Sequence, residues 1–191
     1  MGKKAIAILL FAGALCMHAV AQKDSAKGFV HKGLLRAGAT YSLGVISYLH
    51  ISNVYLNGNL EYYTDNKISV RGDGCYFFNS LNESKLLKMN HQLFFGACYN
   101  FPVAARINPF IGLQPGIAYI QTSLYGDPAS FSPLASVITG FNYYAEKWFH
   151  IMVNVRYVVG QHLDEVSLFN VNEISFAFGL GFDLDVLKKN K

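Results

Sequence analysis

Apolar and polar residues alternate with a period of two along stretch after stretch of this chain. From Glu173 to Leu184 the even positions read Ile174, Phe176, Phe178, Leu180, Phe182 and Leu184, and the odd ones Glu173, Ser175, Ala177, Gly179, Gly181 and Asp183. The run before it, Phe149 to Val159, sets Phe149, Ile151, Val153, Val155, Tyr157 and Val159 against His150, Met152, Asn154, Arg156 and Val158. Successive side chains of a strand point to opposite faces, so each run predicts a strand with one greasy face and one polar or small one. Runs of ten residues and more are longer than the ~5 to 6 residues usual in soluble sheets.

Six further runs precede these two. Gly33 to Ile46 puts Leu35, Ala37, Ala39, Tyr41, Leu43 and Val45 on one face and Arg36, Gly38, Thr40 and Ser42 on the other. Asn53 to Tyr63 opposes Val54, Leu56, Leu60 and Tyr62 to Tyr55, Asn57, Asn59 and Glu61; Lys67 to Phe78 opposes Ile68, Val70, Tyr76 and Phe78 to Ser69, Arg71, Asp73 and Cys75. His91 to Phe101, Pro109 to Gln121 and Pro133 to Ala145 follow. Pro115 removes a ladder donor from the middle of its run, which predicts a bulge or local irregularity there. The links alternate in length. Thr64 to Asn66, Pro102 to Asn108 and Glu146-Lys147 are short, whereas Asn79 to Asn90, Thr122 to Ser132 and Gly160 to Asn172 are long and polar. Short turns on one side and longer loops on the other, with both termini on the short-turn side, predict an all-β, eight-stranded, antiparallel up-and-down transmembrane β-barrel of the outer membrane.

A soluble eight-stranded barrel has the same period but points its apolar face inward. Lysines decide between the two. Lys67, Lys85, Lys88, Lys147, Lys188, Lys189 and Lys191 lie at strand ends, in links or in the tail, and not along a solvated strand face. The charges within strands are Arg36, Glu61, Arg71, Asp73, Arg156 and the terminal Glu173. A charge on the lipid face costs about 2 to 4 kcal/mol at the membrane midplane, so these six are assigned to a polar, closed lumen. Arg36, Glu61, Arg71 and Asp73 are expected to form hydrogen-bonded ion pairs, because an unpaired charge in a confined interior is expensive. Tyr62, Phe101, Tyr143, Trp148 and Phe182 fall near the short-turn ends and are read as an interfacial aromatic girdle, with Tyr63 and Tyr144 beside them.

The N-terminus reads differently. Lys3 and Lys4, the apolar Ala5 to Leu15 and the small-residue site Ala19-Val20-Ala21 describe a secretory signal peptide, residues 1–21, which implies export. A periplasmic lead (22–32), the barrel (33–185) and a short tail (186–191) complete the expected organisation. Loss of Lys3 and Lys4 from the 16 basic residues leaves 14 against 12 acidic ones, too balanced for nucleic-acid binding. Cys75 and Cys98 sit at different heights in their hairpin, so both are expected as free, lumen-facing thiols.

On these runs, over about Lys32 to Leu184, the chain resembles the small eight-stranded outer-membrane proteins of the OmpA transmembrane-domain and OmpX type, and bacterial outer-membrane β-barrel domain proteins in general. The resemblance implies a final-strand signal read by the barrel-assembly machinery. Ala177-Phe178-Gly179-Leu180-Gly181-Phe182-Asp183-Leu184 matches its polar-x-Gly-x-x-aromatic-x-apolar form except at the first position, and the chain continues past the usual aromatic end to Lys191. One stretch, His50-Ile51-Ser52-Asn53, resembles the His-x-Ser-Asn motif of outer-membrane lipid A deacylases. It falls in the first hairpin, not late as in those enzymes, and lacks a nearby acid to orient the histidine, since Glu61 lies ~30 Å lower by strand rise. His162, Asp164 and Glu165 form no recognisable metal spacing. The expectation is a non-enzymatic monomer with a structural or surface-interaction role, no cofactor and no metal, whose partners are outer-membrane lipid and the assembly machinery. The alternative is a barrel that binds or laterally passes a small hydrophobic molecule near Pro115.

Overall fold

The computed structural model describes residues 29–46, 51–81, 87–101, 106–122, 129–163 and 168–187. The expected signal peptide, most of the lead and the end of the tail lie outside them. Nine strands are present among the described residues: β1 (Leu34–Ile46), β2 (Ile51–Tyr63), β3 (Ile68–Ser80), β4 (Leu87–Asn100), β5 (Ile107–Thr122), β6 (Ser130–Glu146), β7 (Phe149–Leu163), β8 (Leu168–Asn170) and β9 (Glu173–Asp185). Each of β1 to β7 pairs antiparallel with the next, and β9 pairs with both β7 and β1, so eight strands close into an up-and-down barrel. The ninth, β8, stands outside the wall and pairs only with the end of β7, Gln161 to Leu163.

Strands run further toward the long loops than the alternation predicts. β3 continues to Ser80, β4 starts at Leu87 and β7 reaches Leu163. Backbone pairing does not need an apolar face, whereas the period-two signal fades once both faces leave the membrane. At the other end, the β2–β3 turn is fixed by Thr64 N–H donating to Ile68 O at 3.0 Å and by the Asp65 carboxylate accepting from Lys67 N–H at 3.2 Å.

Among the described residues three bulges interrupt the ladders. Phe78 is the extra residue on β3 against β2, Lys88 on β4 against β5, and Ala145 on β6 against β7. Pro115 is not among them. Its pairing with β6 runs through Pro115↔Ala135 without a shift, and its register with β4 is the same on both sides of Gln114 and Pro115, although those two positions lack partners on β4. The missing N–H costs rungs and no residue is inserted.

A longer gap lies elsewhere. Pairing of β3 with β4 ends at Cys75↔Gln92, while both strands continue beyond it. There the His91 Nδ1 accepts the Phe77 backbone N–H at 3.1 Å, and the His91 ring stacks on Tyr76 at 4.6 Å. A side chain thus replaces a rung at this seam.

The wall is apolar outside and filled inside. Tyr41, Leu56, Phe95, Leu113, Phe176 and Phe178 are exposed on it, and this band is the surface that a membrane covers. Trp148, 57% exposed, stacks on Phe182 at 5.9 Å, and Tyr62, Phe101 and Tyr143 also face outward near the short turns. Tyr63 and Tyr144 do not join them. Their parity with Glu61 and Asn142 turns both inward, to 0% and 1% exposure. Val54 also departs from its expected exposure: it is 3% exposed, beside the Phe78 bulge.

Candidate functional site

Register places the inward charges at neighbouring heights. Arg36 lies opposite Glu61 on β2 and Asp183 on β9, and Glu61 lies opposite Arg71 on β3. One chain of contacts follows. His150 Nδ1 meets Asp183 at 2.5 Å; Arg36 donates from Nε to Asp183 at 3.1 Å and from Nη1 to Glu61 at 3.2 Å; Arg71 lies 3.8 Å from Glu61 and donates to Asp73 at 2.8 Å; and Arg156 closes on Asp73 at 3.1 Å. All these side chains are almost completely buried.

Neutral groups take up some of the remaining polar atoms, while Arg71 Nη1, His150 Nε2 and Gln114 Oε1 have no hydrogen-bond partner among the described residues. Arg36 Nη2 donates to the Tyr144 hydroxyl, Ser69 donates to Glu61, and Gln114 Nε2 donates to Asp73 at 2.8 Å. Aromatic faces cover the guanidinium groups: Tyr63 and Tyr144 lie under Arg36, Phe110 under Arg71, and Phe94 under Arg156 at 4.3 Å. Cation–π contacts of this kind strengthen when water is excluded.

Glu173 stands apart from that chain. Its Oε2 accepts from the Tyr55 hydroxyl at 2.8 Å and from Gln92 Nε2 at 3.2 Å, and Asn90 Nδ2 donates to the same hydroxyl at 2.9 Å. The six charges assigned to the lumen therefore form a five-membered share of one ion-pair chain, and a separate acid held by neutral partners. Asp183, His150, Tyr55 and Gln114 also belong to the two groups and were not among the candidate site residues read from the sequence, and Tyr144, expected beside the girdle, joins them. Each lies on the inward parity of its strand, but parity states the face and not the height.

Both ends of the lumen are closed by apolar side chains. At the short-turn end Phe29 stacks on Tyr144, with centroids 5.1 Å apart, and Leu34 is buried nearby. Toward the long loops the polar filling gives way to a cluster that includes Ile46, Ile51, Phe77, Leu87, Ile120 and Val171. The lumen is polar only in its lower and middle parts, which corrects the expectation of a polar face throughout. Cys75 and Cys98 are buried free thiols.

The enzyme-like stretch gains no geometry. His50 lies outside the described residues, and the Ser52 carbonyl accepts the Leu81 N–H at 2.8 Å and the Ser80 hydroxyl at 3.3 Å, which ties the β2 and β3 ends together. Asp164 and Glu165 also lie outside the described residues. Among the described residues no group of three His, Cys, Asp or Glu side chains is placed to hold a metal.

No family model matches the chain, and no curated protein matches it. Solved structures do. The N-terminal β-barrel domain of Pseudomonas aeruginosa OprF aligns with TM-score 0.62 at 12% identity, covering 80% of this chain and 98% of that one. Neisserial surface protein A aligns with TM-score 0.59 at 17% identity over 80% and 96%, and the outer membrane protein OprG of Pseudomonas aeruginosa with 0.58 at 13% over 83% and 99%. At such identities the likeness is one of fold: an eight-stranded barrel of the outer-membrane type.

Proposed function

We propose that this chain is a bacterial outer-membrane barrel with a closed lumen, non-enzymatic, and structural or engaged in surface interaction through its long loops. The observation that carries this reading is the continuous filling of the lumen, from Phe29 and Tyr144 through the Arg36 to Arg156 ion-pair chain to Ile46, Ile51 and Phe77. Eight strands enclose room for side chains or one small ligand and for no aqueous channel. Export by the N-terminal signal, insertion by the barrel-assembly machinery, embedding in outer-membrane lipid and a monomeric state belong to the same proposal. The test is electrical. Purified barrel in a planar bilayer gives no stable open conductance, and a steady conductance overturns the reading.

A second reading, lateral binding or passage of a small hydrophobic molecule, draws support from the β3–β4 seam and not from Pro115. A groove of about 480 Å³ on the membrane side reaches that seam at Tyr76, His91 and Gln92. Phe77 and Leu87, on the same two strands, are buried. Uptake of a short alkane into vesicles carrying the barrel discriminates: rates equal to those of empty vesicles remove this second reading.

A further inference from the structure

The two mouths of the barrel differ in charge. On the long-loop side the links carry Glu83, Asp127, Asp164 and Glu165 against Lys85 and Lys88. The short-turn side is basic. Lys32 precedes β1, Lys67 lies between β2 and β3, Arg106 precedes β5 and Lys147 lies between β6 and β7, so a cation stands at each corner of that rim. All four are exposed, and none makes an ion pair among the described residues.

Among the described residues Asp65, Glu146 and Asp185 share this rim, and two of them already hold other groups. Asp65 accepts the Lys67 backbone N–H at 3.2 Å; Asp185 accepts the Leu187 N–H at 3.2 Å and lies 3.6 Å from His31. Beyond Leu187 the sequence adds Lys188, Lys189 and Lys191 and no acid. That tail departs from the rim itself. The Val186 N–H donates to Gly33 O at 3.0 Å, and Gly33, at φ 85°, yields to the Leu187 side chain the space that a Cβ would fill.

Apolar surface adjoins the cations. Ile68 follows Lys67, Ile107 follows Arg106 and Trp148 follows Lys147, and all three are exposed, as are Val186 and Leu187 just before the tail lysines. A greasy residue with a cation one step beyond it matches the edge of a bilayer, where hydrocarbon gives way to phosphate. A soluble partner docked on the mouth would need no such neighbour. A zwitterionic lipid brings its own cation to each phosphate, so unpaired Lys and Arg side chains favour lipid of net negative charge.

We propose that the short-turn rim binds phospholipids of net negative charge, their phosphates held by Lys32, Lys67, Arg106, Lys147 and the basic tail. This rests on the outer-membrane reading above and adds to it a headgroup class and a side of the membrane.

Electron spin resonance tests it, with the barrel refolded into phosphatidylcholine vesicles that carry a trace of spin-labelled phosphatidylglycerol or spin-labelled phosphatidylcholine. Lipid against the protein wall is motionally restricted, and the restricted share of each label measures its relative affinity. Wild type is expected to favour phosphatidylglycerol by about two- to fivefold at low salt, since one Lys or Arg near an anionic surface is worth about a factor of five. The ratio is expected to fall toward one in ~1 M sodium chloride, where the charges are screened. Lys32→Gln, Lys67→Gln, Arg106→Gln and Lys147→Gln together, with the three tail lysines changed likewise, should bring it to one at low salt. Lys88→Gln, on the opposite rim, should leave it unchanged. Restricted phosphatidylcholine shows in each case that the variant has inserted. Equal shares of the two labels in wild type overturn the proposal while the outer-membrane reading stands. So does a preference that survives the combined replacement or that Lys88→Gln abolishes. Absence of any restricted component with either label removes the outer-membrane reading and this proposal with it.

Discussion

Arg36 is held by three strands besides its own: Glu61 on β2, Tyr144 on β6 and Asp183 on β9. Its loss leaves two buried carboxylates short of a cation, and breaking a buried pair in this way costs about 3 to 5 kcal/mol, more than the pair itself contributes. Arg36→Ala is therefore expected to lower the urea midpoint of the refolded barrel sharply. A triple replacement that also neutralises Glu61 and Asp183 as Gln and Asn should recover most of the loss, because no uncompensated charge remains. Recovery no better than additive would show that packing and not charge sets the cost. At this scale the sequence was informative about direction. Arg36, Glu61, Arg71, Asp73 and Arg156 sit at inward parity, and their burial follows from the cost of a charge facing lipid. The sequence also led to the expectation of ion pairs among Arg36, Glu61, Arg71 and Asp73, but not to which acid meets which arginine, nor to Asp183 and Arg156 as members of the same chain. Asp183 meets Arg36 only because the β1–β9 register sets Arg36 opposite Asp183, and that register depends on the stagger of a closed barrel. For Tyr63 and Tyr144 two sequence signals conflicted, clustering near the rim and inward parity; parity prevailed, because a side chain cannot change face without a bulge.

Elements show the same division. Long alternating runs and the order of short and long links made eight strands and their pairing order legible, whereas bulges left no mark in composition. Pro115 lacks an N–H, which predicts a bulge or local irregularity; two rungs to β4 are missing there, yet the register is the same on both sides. The larger interruption is the β3–β4 seam, which no proline announces: Phe78 is an extra residue against β2 and Lys88 against β5, and the pairing of β3 with β4 ends at Cys75 and Gln92. His91 joins the two strands beyond that point by accepting the Phe77 N–H. His91→Ala is thus expected to speed amide hydrogen exchange at Phe77 while exchange at Gly72 and Gly74, inside the paired part of β3, stays unchanged. Equal exchange at Phe77 in both proteins would mean that the histidine stacks on Tyr76 without securing the strand.

Across the whole molecule, the two fillings of the lumen act in series. The lower one is an ion-pair chain that runs from Asp183, where His150 adds a hydrogen bond, to Arg156, and the upper one is the apolar cluster around Ile46, Ile51 and Phe77. An ion entering from the long-loop side meets hydrocarbon first, and one from the short-turn side meets Phe29 and Tyr144 and then paired charges. Removing one barrier leaves the other in place. Ile46→Ala combined with Phe77→Ala is expected to lower stability by about 2 to 5 kcal/mol per site, the usual cost of cavities in a packed interior, without creating conductance in a planar bilayer. The charged layer beneath resists opening for a separate reason: its arginines and carboxylates are linked across β1, β2, β3, β7 and β9, so displacing one side chain strands its partners. If the apolar double variant alone conducts ions, the ion-pair chain is permeable, and the closed state of the barrel rests on the upper cluster alone.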